Sequence, residues 1–328
     1  MLPPPDLIRA EDSHVKDGAL SSSSVNPAET LRQIAAACQD TKESKPQVLL
    51  VDTHGHAHLN RERHESYINS ENEFHNVPVV SLSCAVEESD WTKALSYAAQ
   101  SDSTLPGLGV HPWYLAGLSE MWLRDLEALL LQHPSAIVGE IGLCKMARFV
   151  RTHPEGKQAG LLKQRQVFQD QMRLAGKLQR PVSVHCVKQH GVFMSVLKQL
   201  VEDGDPFPPA IGMHSFSGTA HHVKEILDFE STWLPDKCIF YFGFSHIVNY
   251  EMCTSEKSRR QGCEAVRAVP IDRLMAESDV HSAEDVKEGT AGAVSYIAFS
   301  LNCSILEVAQ LTALNGLAFL NATAKSSQ

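Results

Sequence analysis

Alternating histidines follow an apolar run early in the chain. The stretch LLVDTHGHAHLN, residues 49–60, contains Asp52, His54, His56 and His58. Side chains at alternate positions of a strand share one face, so these four would point the same way. Neutral imidazoles beside a carboxylate are suitable ligands for zinc, manganese or iron. Because 16 histidines in 328 residues also give such pairs by chance, a histidine-rich surface turn is the competing interpretation.

Further histidines and acids lie at the ends of other β-rich runs. The residues with this placement are His54, His56, His111, Glu140, His185, His214 and Asp279. One polar residue at a strand end is commonly a cap or a hydrogen-bonded rim group, but seven coincidences favour a shared site. Imidazoles would bind one or two metals there, and carboxylates would bridge the metals or take a proton from water.

The elements that must position these residues form a regular alternation from residue 47 onward. The β-rich runs cover residues 47–54, 77–84, 105–111, 136–142, 181–186, 210–215, 238–245 and 272–279. Between them apolar residues recur at helical spacing, as in MWLRDLEALLLQH and GVFMSVLKQLVE. Eight such units predict an α/β fold, a (β/α)8 TIM barrel, in which the carboxyl ends of all strands meet at one rim.

The first 46 residues differ in composition from the rest. They contain LPPP and SSSS and few large apolar residues, so we expect residues 1–46 to be a poorly ordered extension. Within this extension, PAETLRQIAAACQ could form a short helix. Residues 47–328 form the predicted barrel domain.

The composition is that of an ordinary soluble globular protein. The net charge of −10 argues against a protein that coats nucleic acid through a broad basic surface, although a local phosphate site stays open. No apolar run is long enough to span a bilayer, and the first residues lack the basic start and apolar centre typical of a signal peptide, so we expect none. The eight cysteines form no CxxC pair and are expected to be reduced. We therefore expect no membrane partner and a cytoplasmic protein, with nuclear entry left open.

A series of short motifs carries a family resemblance. VDTHGH, GVHPWY, VGEIGL, RPVSVHC, HSFSG and AESD stand in this order along the chain. The series resembles that of the TatD-like metal-dependent hydrolases, whose usual forms are DxHxH, GxHP, GEIGLD, PVxxHxR, HxFxG and ETD. The match covers about residues 47 to 320, and its phrasing is similar to a eukaryotic, fungal-type branch. The family fold is a TIM barrel, in agreement with the strand count.

The resemblance also implies a set of ligands for one or two divalent metals, with zinc, manganese and magnesium as candidates. These are His54, His56 and Asp279 for one metal, His185 and His214 for the other, and Glu140 as the bridge. Glu140 and Asp279 would also be the catalytic carboxylates.

Two pairs of histidines compete for the first ligand positions. His54 and His56 stand at the DxHxH distance from Asp52 and are preferred, whereas His56 and His58 before Leu59 imitate an HxHLD ending. On the preferred assignment His58 is a rim residue in the loop, with a supporting role behind the ligands as the alternative. Asp52 would be a buried hydrogen-bond partner that orients the ligands, or a plain strand-end carboxylate.

Two positions depart from the family pattern. Cys144 stands where the family usually has Asp after GEIGL, and Val187 replaces the usual Arg after the histidine of RPVSVHC. Cys144 could be an inert small residue, a thiolate ligand or a sign of relaxed selection on activity. We favour the inert interpretation, because only Lys145 nearby would lower the pKa of its thiol.

Several residues near the predicted rim are candidates for substrate contact. They are His111, Trp113, Lys145 and Arg148, with Arg151, Tyr114 and Phe216 as further members. The basic residues would contact phosphate, and the aromatic residues would stack on bases of single-stranded nucleic acid. The alternatives are a solvated basic loop, a histidine packed on Pro112, and aromatic residues that only pack loops.

Three functions follow from these residues. The first is hydrolysis of phosphodiester bonds, with single-stranded DNA ends as the substrate that the resemblance implies and a metal-activated water as the nucleophile. The second is hydrolysis of a small ester or amide, which the acidic composition favours. The third is a weakly active barrel that binds a protein partner, motivated by the departures at Cys144 and Val187.

Overall fold

The structure, a computed structural model, describes residues 25–39, 49–60, 74 and 76–322. Its strands are parallel and follow one another around the sheet in chain order. They are β1 Leu50–Gly55, β2 Val79–Cys84, β3 Thr104–Leu108, β4 Ile137–Cys144, β5 Val182–Val187, β6 Ala210–Met213, β7 Ile239–Ser245 and β8 Leu274–Glu277. The predicted (β/α)8 TIM barrel is therefore confirmed.

The seam between the first and last strands is closed by hydrogen bonds from side chains and loops. Asp52 Oδ1 accepts the Ser278 backbone N–H at 2.7 Å, and its Oδ2 accepts the Ser278 hydroxyl at 2.6 Å. Asp279 N–H donates to His54 O at 3.0 Å. Burial raises the pKa of Asp52 to about 7, although its bonds to Ser278 oppose this rise. Asp52 thus ties β1 to the segment that carries Asp279.

Helices cover the barrel because their apolar residues recur at helical spacing and face the strands. In the described chain they are α1 Pro27–Gln39, α2 Trp91–Ala98, α3 Trp122–Gln132, α4 Arg148–Arg151, α5 Lys157–Leu178, α6 His190–Glu202, α7 Ala220–Trp233, α8 Glu256–Ala268, α9 Val286–Leu301 and α10 Ile305–Leu320. No single described helix has the length and apolarity to cross a membrane. Only the pair formed by α9 and α10, which meet at a sharp bend, reaches that length and apolarity together among the described residues.

Two buried glutamines on α5 hold the loops that follow β3 and β4. Gln164 Nε2 donates to Pro112 O at 2.8 Å and to Cys144 O at 3.1 Å. Gln171 bonds both backbone groups of Val110, at 2.7 and 3.2 Å. The glutamine amides thus form the hydrogen bonds that a neighbouring strand would otherwise make with these backbone groups. The segments that follow β3 and β4 are therefore held in place below the rim.

Part of the predicted extension is packed against the barrel. Helix α1 lies on α9 and α10 and buries Leu31 and Ile34. The prediction of poor order is wrong for residues 25–39, because the apolar residues of this stretch recur at helical spacing and fill a groove between helices. Residues 1–24 and 40–48 lie outside the described residues.

Candidate metal centre

One buried carboxylate forms the centre of the polar rim. Glu140 lies on β4, and its Oε2 is 3.4 Å from His54 Nε2 and 3.4 Å from His56 Nε2. Asp279 follows β8, with its Oδ1 3.8 Å from His56 Nε2. The side chain of Glu140 is 3% exposed, so its charge must be balanced from within the protein.

The other carboxylate oxygen of Glu140 faces three more imidazoles. Its Oε1 is 3.1 Å from His185 Nδ1, 3.3 Å from His111 Nε2 and 3.6 Å from His214 Nε2. His214 Nε2 also lies 3.7 Å from Asp279 Oδ2. The two oxygens of Glu140 therefore serve two adjoining groups of nitrogen donors.

These atoms make three groups in which the donor atoms all lie within 4.8 Å of one another. The groups are His54, His56 and Asp279; His54, Glu140 and His214; and His111, Glu140 and His185. The structure thus brings together all six residues that the resemblance implies as ligands, and it adds His111 to them. His111, which the sequence predicts as a substrate contact, is buried beside Glu140, since β3 ends at Leu108 and the loop turns inward. Its contact with substrate stays a prediction.

Hydrogen bonds on the outer ring nitrogens orient three of the histidines. His54 Nδ1 is 2.7 Å from Ser183 Oγ, and His56 Nδ1 is 2.7 Å from the carbonyl oxygen of Cys84. His214 Nδ1 is 3.0 Å from Glu277 Oε1. In each case Nε2 is left to face the centre, which is the arrangement that metal-binding imidazoles require.

One inner nitrogen gives a direct test of whether a metal fits. His54 Nε2 is buried and has no hydrogen-bond partner among the described atoms. A buried polar nitrogen without a partner costs free energy, and a metal ion would satisfy His54 Nε2, which faces Glu140. The set of imidazole and carboxylate donors therefore fits a divalent transition metal.

The carboxylates and imidazoles of the cluster shift one another's pKa values. Burial alone would raise the pKa of Glu140, but the surrounding imidazoles hold it well below its usual range. Burial disfavours charge on the rings, yet hydrogen bonds to Cys144 and Glu140 raise the pKa of His185 to about 9. The carboxylates of Asp279 and Glu277 overcome burial at His214 and raise its pKa to about 10. A metal would compete with protons for the nitrogens of these rings.

His111 and His54 show the opposite behaviour. Burial lowers the pKa of His111 to about 4 and lowers the pKa of His54 as well, so both rings are neutral at pH 7. Neutral imidazoles are the form that binds metals.

His58 is buried behind the centre, so its prediction as a rim residue is wrong. Its Nδ1 is 2.8 Å from Ser83 Oγ, and its Nε2 is 2.8 Å from Asp90 Oδ2. Residues 57–59 form a short helical turn that directs the ring inward to β2. Ser83 precedes Cys84, whose carbonyl oxygen holds His56, so the alternative role behind the ligands describes His58 better.

Cys144 contacts the centre, and Lys145 is not its main neighbour. Burial would raise the pKa of its thiol, but hydrogen bonds with His185 and Trp113 lower it. The inert interpretation stays a prediction, but its premise that only Lys145 would lower the thiol pKa is incomplete, because His185 and Trp113 lower it too. Sequence distance concealed His185, which reaches Cys144 from the neighbouring strand β5.

The aromatic residues predicted at the rim divide into two kinds. Trp113 and Tyr114 are 48% and 42% exposed, as substrate stacking requires. Phe216 is buried against Phe242 and Phe244, so it packs the loop and does not face solvent. The basic candidates of the β4 loop are exposed: Lys145, Arg148 and Arg151.

Sequence reasoning missed two residues that support the ligands. Glu277 on β8 contacts His214 Nδ1 and accepts the Ser215 N–H, and Ser183 on β5 contacts His54. Glu277 belongs to the quoted AESD motif and could have been found there as the carboxylate two residues before Asp279. Ser183 leaves no comparable signal.

Comparison with known proteins agrees with the class that fold and site define, a metal-dependent hydrolase barrel. A family model described as TatD related DNase matches residues 51–318. This chain belongs to that family and is a TatD-type metal-dependent hydrolase.

Individual relatives are distant. Cut9-interacting protein scn1 of Schizosaccharomyces pombe is 28% identical over 237 residues, 62% of this chain and 67% of that protein. The human 3'-5' RNA nuclease TATDN2 is 27% identical over 183 residues, 55% of this chain and only 20% of that protein. The crystal structure of YJJV, a TatD homologue from Escherichia coli K12, has a TM-score of 0.61 at 19% identity and covers 83% of this chain and 97% of that chain.

Proposed function

We propose that this protein cleaves phosphodiester bonds at the ends of single-stranded nucleic acid, with DNA as the first substrate to test and RNA as the second. The observation that carries the proposal is the Glu140 carboxylate shared by imidazoles on both oxygens, with the unpartnered Nε2 of His54 beside it. The family description names DNases, and the human relative is named as an RNA nuclease.

In this proposal His54, His56 and Asp279 would hold one divalent metal, His185 and His214 would hold a second, and Glu140 would be a ligand common to both. His111 is a further donor beside His185 and Glu140. A bound metal would lower the pKa of a water molecule and offset charge on the phosphate. Imidazole-rich donors favour zinc, manganese or iron over magnesium.

Asp279 is the carboxylate placed to take the proton from the attacking water. Its side chain is 15% exposed, against 3% for Glu140, so it faces the mouth of the site. The Ser215 hydroxyl donates to Asp279 Oδ2 at 3.3 Å, and the Asp279 N–H is held by His54 O. These bonds fix the carboxylate while leaving Oδ1 directed toward His56.

The rim offers contacts for the nucleic acid itself. Trp113 lies with its ring centroid 6.3 Å from that of His185 and is half exposed, so a base stacked on it would lie next to the centre. Lys145 and Arg148 lie on the next loop and would contact the phosphate. They would thereby take over the role of the family's usual arginine, which is Val187 in this chain.

A second candidate function is a protein-binding barrel with little catalysis. The observation that favours it is the name of the fission-yeast relative, which describes an interaction with another protein. A small ester or amide remains the alternative substrate of the same centre. Cytoplasmic location stays a prediction.

The test is a substrate panel with the purified, metal-loaded chain. Single-stranded DNA and RNA labelled at the 5' or 3' end, duplex DNA and a p-nitrophenyl ester are compared for wild type and Glu140→Gln. Shortening of single strands from one end, lost in Glu140→Gln, is the expected result. Cleavage of the ester alone, or partner binding with no cleavage, would overturn the proposal.

A further inference from the structure

The carboxyl end of β7 carries buried polar residues that belong to none of the three donor groups found among the described residues. Ser245, the last residue of β7, is 0% exposed, and Asn249, four residues later, is 5% exposed. Buried polar side chains cost free energy unless they are hydrogen-bonded, so their partners indicate their role.

Asn249 connects the end of β7 to the loop that follows β6. Its Oδ1 accepts the Ser245 N–H at 2.8 Å, and its Nδ2 donates to Phe216 O at 2.9 Å. Asn249 lies in a π-helical turn, Ile247–Glu251, a wide and uncommon turn that is frequent at functional sites. The turn returns the Asn249 amide to the strand that precedes it, and the amide holds the end of β7 against the β6 loop.

Two hydroxyl groups continue this link from Ser245 to Asp279. Ser245 Oγ lies 2.8 Å from Ser215 Oγ, and Ser215 Oγ donates to Asp279 Oδ2 at 3.3 Å. A serine hydroxyl has one proton and a carboxylate oxygen only accepts, so Ser245 donates to Ser215. Ser245 Oγ in turn accepts the Val248 N–H at 3.3 Å. All donors of this chain therefore point toward Asp279, and each bond polarises the next.

The two residues at the inner end of the chain have an unfavourable backbone conformation. Ser215 and Asp279 are not glycines, yet their φ angles of 37° and 55° lie in the left-handed region. Such a conformation costs free energy and persists only where surrounding contacts hold it. Ser215 is held by its N–H bond to Glu277 and by the hydroxyl bond from Ser245. The direction of the Ser215 hydroxyl thus depends on Ser245.

We propose that Ser245 is a positioning residue for Asp279 and acts on it through the Ser215 hydroxyl. This inference rests on the proposed function, in which Asp279 takes the proton from the attacking water. The bond from Ser215 occupies Oδ2 and leaves Oδ1, 3.8 Å from His56 Nε2, for the centre. Without Ser245, the Ser215 hydroxyl is free to turn away and the carboxylate is free to rotate.

The test is a double-variant cycle with Ser215→Ala and Ser245→Ala. We measure kcat and KM for a single-stranded oligonucleotide at saturating metal. Each single change should lower kcat by about 10-fold or more, since polar partners behind metal ligands typically contribute about 10- to 100-fold. KM should stay unchanged in Ser245→Ala, because this fully buried side chain cannot contact substrate. Because Ser245 acts through Ser215, Ser245→Ala should lower kcat no further when Ser215→Ala is already present.

The control is Ser300→Ala, which removes the same group from another fully buried position. Ser300 is also 0% exposed, and it lies on α9, where its hydroxyl donates to Cys263 Sγ at 3.4 Å. This variant should keep the wild-type kcat. Melting temperatures of all variants identify any loss that comes from a weakened fold.

The possible outcomes separate this inference from the proposed function. A fall in kcat alone in Ser245→Ala, absent when Ser215→Ala is present, supports the positioning role. The same loss in both backgrounds, or a wild-type kcat in Ser245→Ala, would overturn that role and leave the nuclease proposal standing. Absence of any oligonucleotide cleavage by wild type would overturn the proposed function and the positioning role together.

Discussion

Replacing Glu277 by Gln tests whether the carboxylate behind His214 controls metal binding. Glu277 is 1% exposed, and one oxygen, Oε1, accepts both His214 Nδ1–H and the Ser215 N–H. A glutamine can keep both bonds through its own Oε1, so the change removes the charge and little else. Carboxylates in this position are typically worth 10- to 100-fold in metal affinity, about 1.4 kcal/mol for each tenfold.

The assay is competition between the protein and a chelating dye for zinc or manganese. The control is Glu225→Gln, because Glu225 also contacts a histidine, His190, at 2.9 Å but lies outside the centre. We expect the affinity to fall by about 10- to 100-fold in Glu277→Gln and to stay unchanged in Glu225→Gln. Equal affinities in wild type and Glu277→Gln would refute the role given to this carboxylate.

Three further results are expected. Asp90→Asn should destabilise the fold by about 3 kcal/mol in urea unfolding, because it leaves buried His58 without its charged partner; a loss below about 0.5 kcal/mol would show the pair to be dispensable. The pKa of His214 rises from 6.5 to about 10, chiefly through Asp279 and Glu277, so its contribution to the stability of metal-free protein is complete below pH 6.5 and lost as pH rises through 10. The melting temperature should therefore fall less between pH 6.5 and 10 in Glu277→Gln than in wild type, and equal profiles would contradict the part given to Glu277. Trp113→Ala should raise KM for single strands by about 5- to 160-fold through lost stacking, with p-nitrophenyl ester kinetics as the control, and an unchanged KM would exclude a base on this ring.

The barrel and its ligand set were predictable because both leave periodic or local signals. Strands such as β4 and β5 read as short apolar runs, and the residues at their ends, Glu140 and His185, carry the chemistry. The predicted ends differ from the observed ones by a few residues, which matters most at β3. That strand ends at Leu108, and the turn inward after it places His111 in the centre.

The supporting contacts could not be predicted, because the partners come from distant parts of the chain. His58 reaches Asp90 and Ser83 across the β1 and β2 loops. The sequence predicts Phe216 at the rim, because the aromatic residues of β7 that bury it lie far from it along the chain. Helix α1 forms over the same residues that the sequence predicts as a short helix, but its packing on α9 and α10 could not be predicted, because those helices lie far along the chain.

The most direct test of the central claim is to measure bound metal and cleavage of labelled single-stranded DNA and RNA on the same preparations of wild type, Glu140→Gln and Glu225→Gln. The account predicts bound transition metal and chelator-sensitive cleavage in wild type and Glu225→Gln, and loss of both in a folded Glu140→Gln. Stoichiometric metal and full cleavage in Glu140→Gln, or a wild type that binds no metal, would contradict it.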